Sequence, residues 1–239
     1  MRPDRLVPVM RRPRGVGLVE LMVGLTAGLV LLGALAYLFL GSRQLSRTHS
    51  DVSRMQESGR VALEILGRSI RQAGASNANK GFTGDALTAT EGASGAPDAV
   101  TVRYIAQEGG EVNCLGNTID AGATVTFVFA VDTAARTLTC TDGTGAAPVV
   151  VMDNVENMQI TYGVDATRDG TIDSYQSATG LTPGQAAAAR ISLLVTGPTA
   201  SVVPTSKQTY SYDSASVTKT DGLLRQVYTS TFTVRNQAR

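Results

Sequence analysis

The sequence predicts an α+β chain: a long N-terminal α-helix, membrane-spanning in its first half, packed on an antiparallel β-sheet. Three observations predict it. The apolar run from Val16 to Leu40 carries Glu20 as its only charge. No proline stands between Val16 and Ala73, and the second part of that stretch is apolar on one face only. Beyond Asp98 the chain turns to Thr- and Val-rich segments that alternate apolar and polar residues.

The apolar run comes first in the argument. A stretch of about 25 residues is long enough to cross a bilayer as a helix. Arg2, Arg5, Arg11, Arg12 and Arg14 lie upstream of it and would hold that end in the cytoplasm. A carboxylate costs about 2.5–3.5 kcal/mol at the centre of such a helix and less nearer the interface. Glu20 therefore needs a reason. An ordinary signal anchor supplies none. A secretory signal peptide has an apolar core of about 7–15 residues with small residues after it. Here the run is longer, and Gly15 precedes it.

The remaining pattern is a basic leader, Gly15, the four residues Val16-Gly17-Leu18-Val19, then Glu20 and a long apolar helix. This resembles the prepilin leader of the type IV pilin class. The resemblance implies cleavage after Gly15 by a prepilin peptidase and methylation of the new amine on Val16. It also implies that Glu20 meets the N-terminal amine of a neighbouring subunit in a fibre. Two groups that are costly in lipid then offset each other, and breaking such a pair leaves a buried charge at several kcal/mol. The family usually places Phe directly after the Gly; this chain has Val16.

Residues 41–75 extend the helix. Val52, Met55, Ala62, Leu66, Ile70 and Ala73 recur at helical spacings and form one apolar stripe. The whole helix would be about 90 Å long at 1.5 Å per residue. Gly59 and Gly67 are soft points within it, and Gly74 with Ser76, Asn77 and Asn79 marks its end. Gly24 and Gly28 make a G-x-x-x-G, which permits close helix approach. Arg60 and Glu64 are spaced for an i,i+4 ion pair worth about 0.3–0.5 kcal/mol. Gln56, Gly59, Arg60, Ala62, Leu63, Glu64, Ile70, Arg71, Ala73 and Gly74 carry a closer likeness, to the PilW family of minor type IV pilins. The strand around Arg190–Pro198 and the C-terminal Leu223–Asn236 are also similar to that family.

The division that follows is 1–15 as leader, 16–40 as membrane or fibre-core helix, 41–75 as its amphipathic continuation, and 76–239 as a β-rich periplasmic domain. Strands are expected at Ala99–Ala106, Thr124–Val131, Arg136–Thr141, Val149–Met152, Gln159–Gly163, Arg190–Thr196 and Leu224–Val234. Ser76–Pro97 reads as a loop with one short strand near Phe82. Asp165–Ala189 and Pro198–Asp221 read as long polar loops, where recognition tends to live. Cys114 and Cys140 fall in an oxidising compartment on this topology and are expected to form a disulfide. Its loop of about 26 residues would contribute roughly 3–4 kcal/mol.

Two classes of chemistry are weighed and set lower. Asp165, Thr167, Asp169, Gly170 and Asp173 fall on positions one, three, five, six and nine of an EF-hand-like calcium loop. Gln176 stands where the bidentate Glu belongs, and an Asp-Gly turn explains the stretch as well. No cofactor other than that calcium is suggested. No G-x-S-x-G, H-E-x-x-H, P-loop or C-x-x-C is present, and the single histidine, His49, has no metal partner at i+4. The chain reads as a substrate of enzymes rather than an enzyme. Residues 1–15 hold five of the 21 basic residues and one of the 20 acidic ones, so the remainder is near −3. No nucleic-acid partner is expected at that charge.

The resemblance thus implies a minor pilin, held as a single-pass protein in the inner membrane with its domain in the periplasm. It would prime fibre growth with other minor pilins and the major pilin on the inner-membrane assembly machinery, and end near the pilus tip. A pseudopilin of a type II secretion system shares the leader and the helix. A membrane-anchored periplasmic binding module with a calcium loop is the alternative from another class.

Overall fold

The computed structural model describes Gly15 and residues 17–167, 169–181, 184–200, 203, 205–212 and 215–236. Helix α1 runs from Leu18 to Gln72, 55 residues without a break. The chain divides between Ser46 and Arg47 into two units. In the first, α1 is apolar all round and exposed. In the second, the expected stripe is the buried one: Met55, Ala62, Leu66 and Ile70 on α1, then Ala73, are all 2% exposed or less, and Val52 is half-buried beside them. Gly74 ends the helix at φ +76°, a conformation glycine adopts without penalty. Its N–H donates to Arg103 O at 2.9 Å, and Ile105 N–H donates to Ala75 O at 2.8 Å, so the helix exit is stitched to a strand.

The strands in chain order are β1 (Leu87–Thr90), β2 (Ala99–Ile105), β3 (Glu111–Val112), β4 (Thr118–Ile119), β5 (Thr124–Asp132), β6 (Thr137–Thr141) and β7 (Val149–Asp153). They continue as β8 (Val155–Val164), β9 (Ser174–Gln176), β10 (Ala186–Thr196), β11 (Gln208–Tyr212), β12 (Ala215–Lys219) and β13 (Arg225–Thr233). Among the described residues they form two main antiparallel sheets, ordered β1-β2-β5-β6-β7 and β13-β10-β8-β9, and two small hairpins, β3-β4 and β11-β12. One sheet is expected from the sequence; two are present. Val100, Val102, Phe129 and Leu138 from the first sheet, and Met158, Ile160, Ile191 and Leu193 from the second, join the α1 stripe in one core.

The helix lies close against β13. A Cβ placed on Gly59 would lie 2.5 Å from Tyr228 Cδ2, and one on Gly67 would lie 2.3 Å from Phe232 Cε1. These two glycines are therefore approach points for aromatic rings rather than soft points. The i,i+4 pair of Arg60 with Glu64 is replaced by an i,i+3 pair of Arg60 with Glu57 at 3.2 Å, both exposed. That exchange changes little, because exposed pairs of either spacing are worth well under about 1 kcal/mol.

Several strand boundaries differ from expectation, for physical reasons. The short strand lies at Leu87–Thr90 rather than near Phe82, which instead packs on the core. β8 begins at Val155, after a single residue, Asn154, turns the chain at φ +65°. Its early part carries Asn157 and Gln159, both buried, whose amides donate to Gly95 O at 2.9 Å and Ala96 O at 2.7 Å. Buried amides are tolerated when hydrogen-bonded in this way. β10 begins at Ala186, four alanines earlier than expected, where it pairs with β8 and Ala188 faces Gly163 across the sheet. The predicted loops Asp165–Ala189 and Pro198–Asp221 contain β9 and the β11-β12 hairpin.

One buried cluster fixes the sheet's lower corner. The Arg225 side chain is 1% exposed and holds Glu156 through Nε at 2.5 Å and Nη2 at 2.9 Å. It also holds Asp221 through Nη1 at 2.7 Å and Nη2 at 2.6 Å. The guanidinium thereby ties the start of β13 to the start of β8, two strands that are not neighbours in the sheet. The Asp221 carboxyl is held well below the usual carboxylate range, chiefly by these bonds from Arg225.

Candidate assembly surface

Gly15 is exposed, and Val16 lies outside the described residues. Glu20 sits in the first turn of α1, where the free N–H groups of the helix favour a negative charge. Its side chain is exposed. Around and beyond it the large apolar residues stand open, from Leu18 at 77% through Leu32 at 64% to Tyr37 at 78%. The most apolar part of this stretch is nowhere buried. A helix apolar on every side and covered on none requires lipid or other helices around it. Thr26, the polar residue in the middle of this surface, donates its hydroxyl to Met22 O and Val23 O and so presents no free donor. Added Cβ atoms at Gly24 and Gly28 meet nothing within 4 Å, so this G-x-x-x-G is open to a partner helix. Arg43 closes the apolar stretch, its guanidinium 4.4 Å above the Phe39 ring.

Cys114 and Cys140 form the expected disulfide, with Cα atoms 6.1 Å apart. It ties the β3-β4 hairpin to β6. Asn113 shapes the hairpin: its Oδ1 accepts Leu115 N–H at 3.0 Å and Asn117 N–H at 2.9 Å. At the hairpin's base, Glu111 accepts the Tyr104 hydroxyl at 3.1 Å and the Gln107 N–H at 2.5 Å. Burial, and then the charge of Glu111, push the Tyr104 phenol up to about 12.

The Asp165–Asp173 stretch is a turn braced by its own carboxylates. Asp165 accepts the N–H groups of Asp169 at 3.2 Å and Gly170 at 2.8 Å. Asp173 accepts Ala166 N–H at 2.8 Å, and Thr167 donates its hydroxyl to Asp165 at 3.4 Å. Asp169 accepts Thr171 N–H at 2.8 Å and its hydroxyl as well, which together lower its carboxyl below the usual value. Gln176, at the twelfth loop position, is paired with Tyr162 on β8. Among the described residues no group of three or more Asp, Glu, His or Cys side chains is arranged to hold a metal ion.

Two features of this surface escape the sequence reading. Arg47, Arg54 and Arg68 are all exposed on one side of α1, and their spacing in sevens was the available signal. Val112, in the short β3, is 56% exposed and has no periodic context to announce it.

A long helix, bare and apolar at one end and buried along a stripe at the other, set against antiparallel sheets, is a type IV pilin-like fold. Among solved structures the chain is similar to a type IV-like pilin from Thermus thermophilus. The TM-score is 0.54 at 19% identity, over 78% of this chain and 98% of that one. Residues 126–236 match the PilW family, described as Type IV Pilus-assembly protein W. The fold is thus similar to that of type IV pilins, and residues 126–236 are similar to a pilus-assembly family. No curated protein matches it.

Proposed function

We propose that this chain is a minor pilin that takes part in type IV pilus assembly. A prepilin peptidase cuts between Gly15 and Val16, and the new Val16 amine is methylated. The processed subunit waits in the inner membrane with its domain in the periplasm. It then joins other minor pilins and the major pilin on the inner-membrane machinery, primes fibre growth and comes to rest near the tip. Its role is structural, not catalytic. The observation that carries this reading is Glu20, one acid in the first turn of a helix whose large apolar side chains from Leu18 to Leu40 are bare. The match of residues 126–236 to a pilus-assembly family favours the pilus over a type II secretion system.

Mass spectrometry of the N-terminus tests it, with the protein taken from cells that have an active prepilin peptidase. The expected chain starts at a Val16 one methyl group heavier than valine. An intact Met1 overturns the reading. Detection of the processed chain in sheared pili, and not with secretion components, separates the two machineries.

A further inference from the structure

A cavity of about 270 Å³ lies between the β11-β12 hairpin and the start of β8. Pro97, Leu194 and Val217 supply its apolar walls, and Glu156 and Lys219 its charges. Val217 and Lys219 occupy alternate positions of β12, so they share one face of the strand. Both are half-buried, whereas Ser216 and Thr218 on the opposite face are exposed. The hairpin thus turns its inner face onto the cavity. The polar groups around it are unequally committed. Gly95 O and Ala96 O already accept the amides of Asn157 at 2.9 Å and Gln159 at 2.7 Å. Glu156 is held by Arg225 and lies 3.5 Å from Arg136. Lys219 has no ion pair or hydrogen bond among the described residues. What stays open is an ammonium whose donors are all uncommitted, beside the apolar Pro97 and Val217.

We propose that this cavity binds a small aliphatic carboxylate, with its carboxylate on the Lys219 ammonium and its hydrocarbon body between Pro97 and Val217, over Leu194. The inference goes beyond the pilin reading: it concerns the β-rich domain alone and stands or falls without it. Charge and size select the ligand. A carboxylate on an ammonium makes a charge-assisted hydrogen bond. The hydrocarbon body takes apolar surface of the walls out of water. The volume falls just below the range that holds drug-sized ligands, so that body is short.

Other ligands fit less well. Inorganic phosphate supplies the charge and leaves Pro97 and Val217 wet. A long-chain fatty acid outgrows the space. An amine would set its own charge against Lys219, while Glu156 is already occupied by Arg225 and Arg136.

The test is nuclear magnetic resonance of the full chain in nanodiscs, with labelled valine and leucine methyl groups and isovalerate as the probe. Shifts are expected at Val217 and Leu194 that saturate in the millimolar range, as suits so small a ligand. Acetate, which lacks the body, binds at least about tenfold more weakly. Isopentanol, which has the body and lacks the charge, is weaker by about the same factor. Lys219→Met lowers the affinity for isovalerate about tenfold, and Lys219→Arg retains it. Val217→Phe fills the cavity and removes the shift at Leu194. Methyl signals elsewhere in the core that match the parent chain show that each variant is folded. Should Val217→Phe fail to fold, Lys219→Met still decides, because Lys219 makes no bond that the fold needs. No shift at Val217 and Leu194, acetate or inorganic phosphate binding as tightly as isovalerate, or an affinity indifferent to Lys219→Met overturns the proposal.

Discussion

The ring of Phe232 occupies the space where a side chain at Gly67 would begin: a Cβ there would lie 2.3 Å from Phe232 Cε1. Tyr228, four residues earlier on β13, stands in the same relation to Gly59, at 2.5 Å. The two glycines let β13 lie against the helix through its aromatic residues, with Arg71 5.7 Å above the Phe232 ring.

That contact sets two opposing effects against each other. Gly→Ala inside a helix is worth about 1 kcal/mol in propensity. Overpacking costs about 1–3 kcal/mol. Overpacking wins here, because 2.3 Å is far inside contact distance and the ring must leave its site. Gly67→Ala should therefore destabilise the domain by about 1–2 kcal/mol, read from the thermal midpoint in near-ultraviolet circular dichroism. In a Phe232→Ala background the same substitution should change sign and stabilise by up to about 1 kcal/mol. Destabilisation of equal size in both backgrounds would show that the ring is not the obstacle.

Arg225 gives a prediction with a pH signature. Arg225→Met leaves Glu156, whose side chain is 8% exposed, with Arg136 at 3.5 Å as its remaining cation. Breaking a buried pair from one side costs about 3 kcal/mol, a fall in the thermal midpoint of about 6–12 °C for a domain of this size. Asp221 is 42% exposed, so solvent screening limits Asp221→Asn to less than about 1 kcal/mol. The Asp221 carboxyl titrates lower in the folded chain than in the unfolded one. Its contribution is then present above the usual carboxylate range, about pH 4, and lost as pH falls toward the folded value. The wild-type advantage over Asp221→Asn should be present at pH 7 and shrink below pH 4. A gap that widens on acidification would contradict this assignment.

How far the sequence foretold these features follows from what each rests on. The helix was legible because one covalent stretch sets it: an unbroken apolar run, then a stripe from Met55 to Ile70 that the core buries. β2 was legible because its residues alternate between buried and half-buried positions; β6 is buried at four of its five positions, so burial alternation does not account for it. β8 was half hidden, because Asn157 and Gln159 face inward and are satisfied by carbonyls more than sixty residues away in sequence. The β11-β12 hairpin was hidden because only Tyr212 of Gln208–Tyr212 is buried, so its alternation of half-buried and exposed positions leaves a weak apolar signal. The division into two sheets was hidden because strand partners are chosen by tertiary contacts, not by local pattern. Gly59 and Gly67 looked like weak points of a helix because the rings that require them lie some 165 residues further on.

The last prediction concerns Glu20, and it separates processing from assembly. On the proposed processing the cut falls at the Gly15–Val16 bond, five residues before the acid, so Glu20→Ala should still be cut. The apolar face from Leu18 to Leu40 is unaltered by the substitution, and the variant should stay in the membrane. The change is to the partner: an incoming N-terminal amine would enter lipid-like surroundings with no carboxylate to meet it. An unpaired charge there costs several kcal/mol, and each 1.4 kcal/mol is a factor of ten in equilibrium. Incorporation into sheared pili, measured by immunoblot against the membrane-bound pool, should therefore fall by about tenfold or more. Glu20→Gln should fall as far, since it keeps the shape and loses the charge. Normal incorporation of Glu20→Gln would mean that the acid serves the helix terminus of its own chain and not a neighbour's amine.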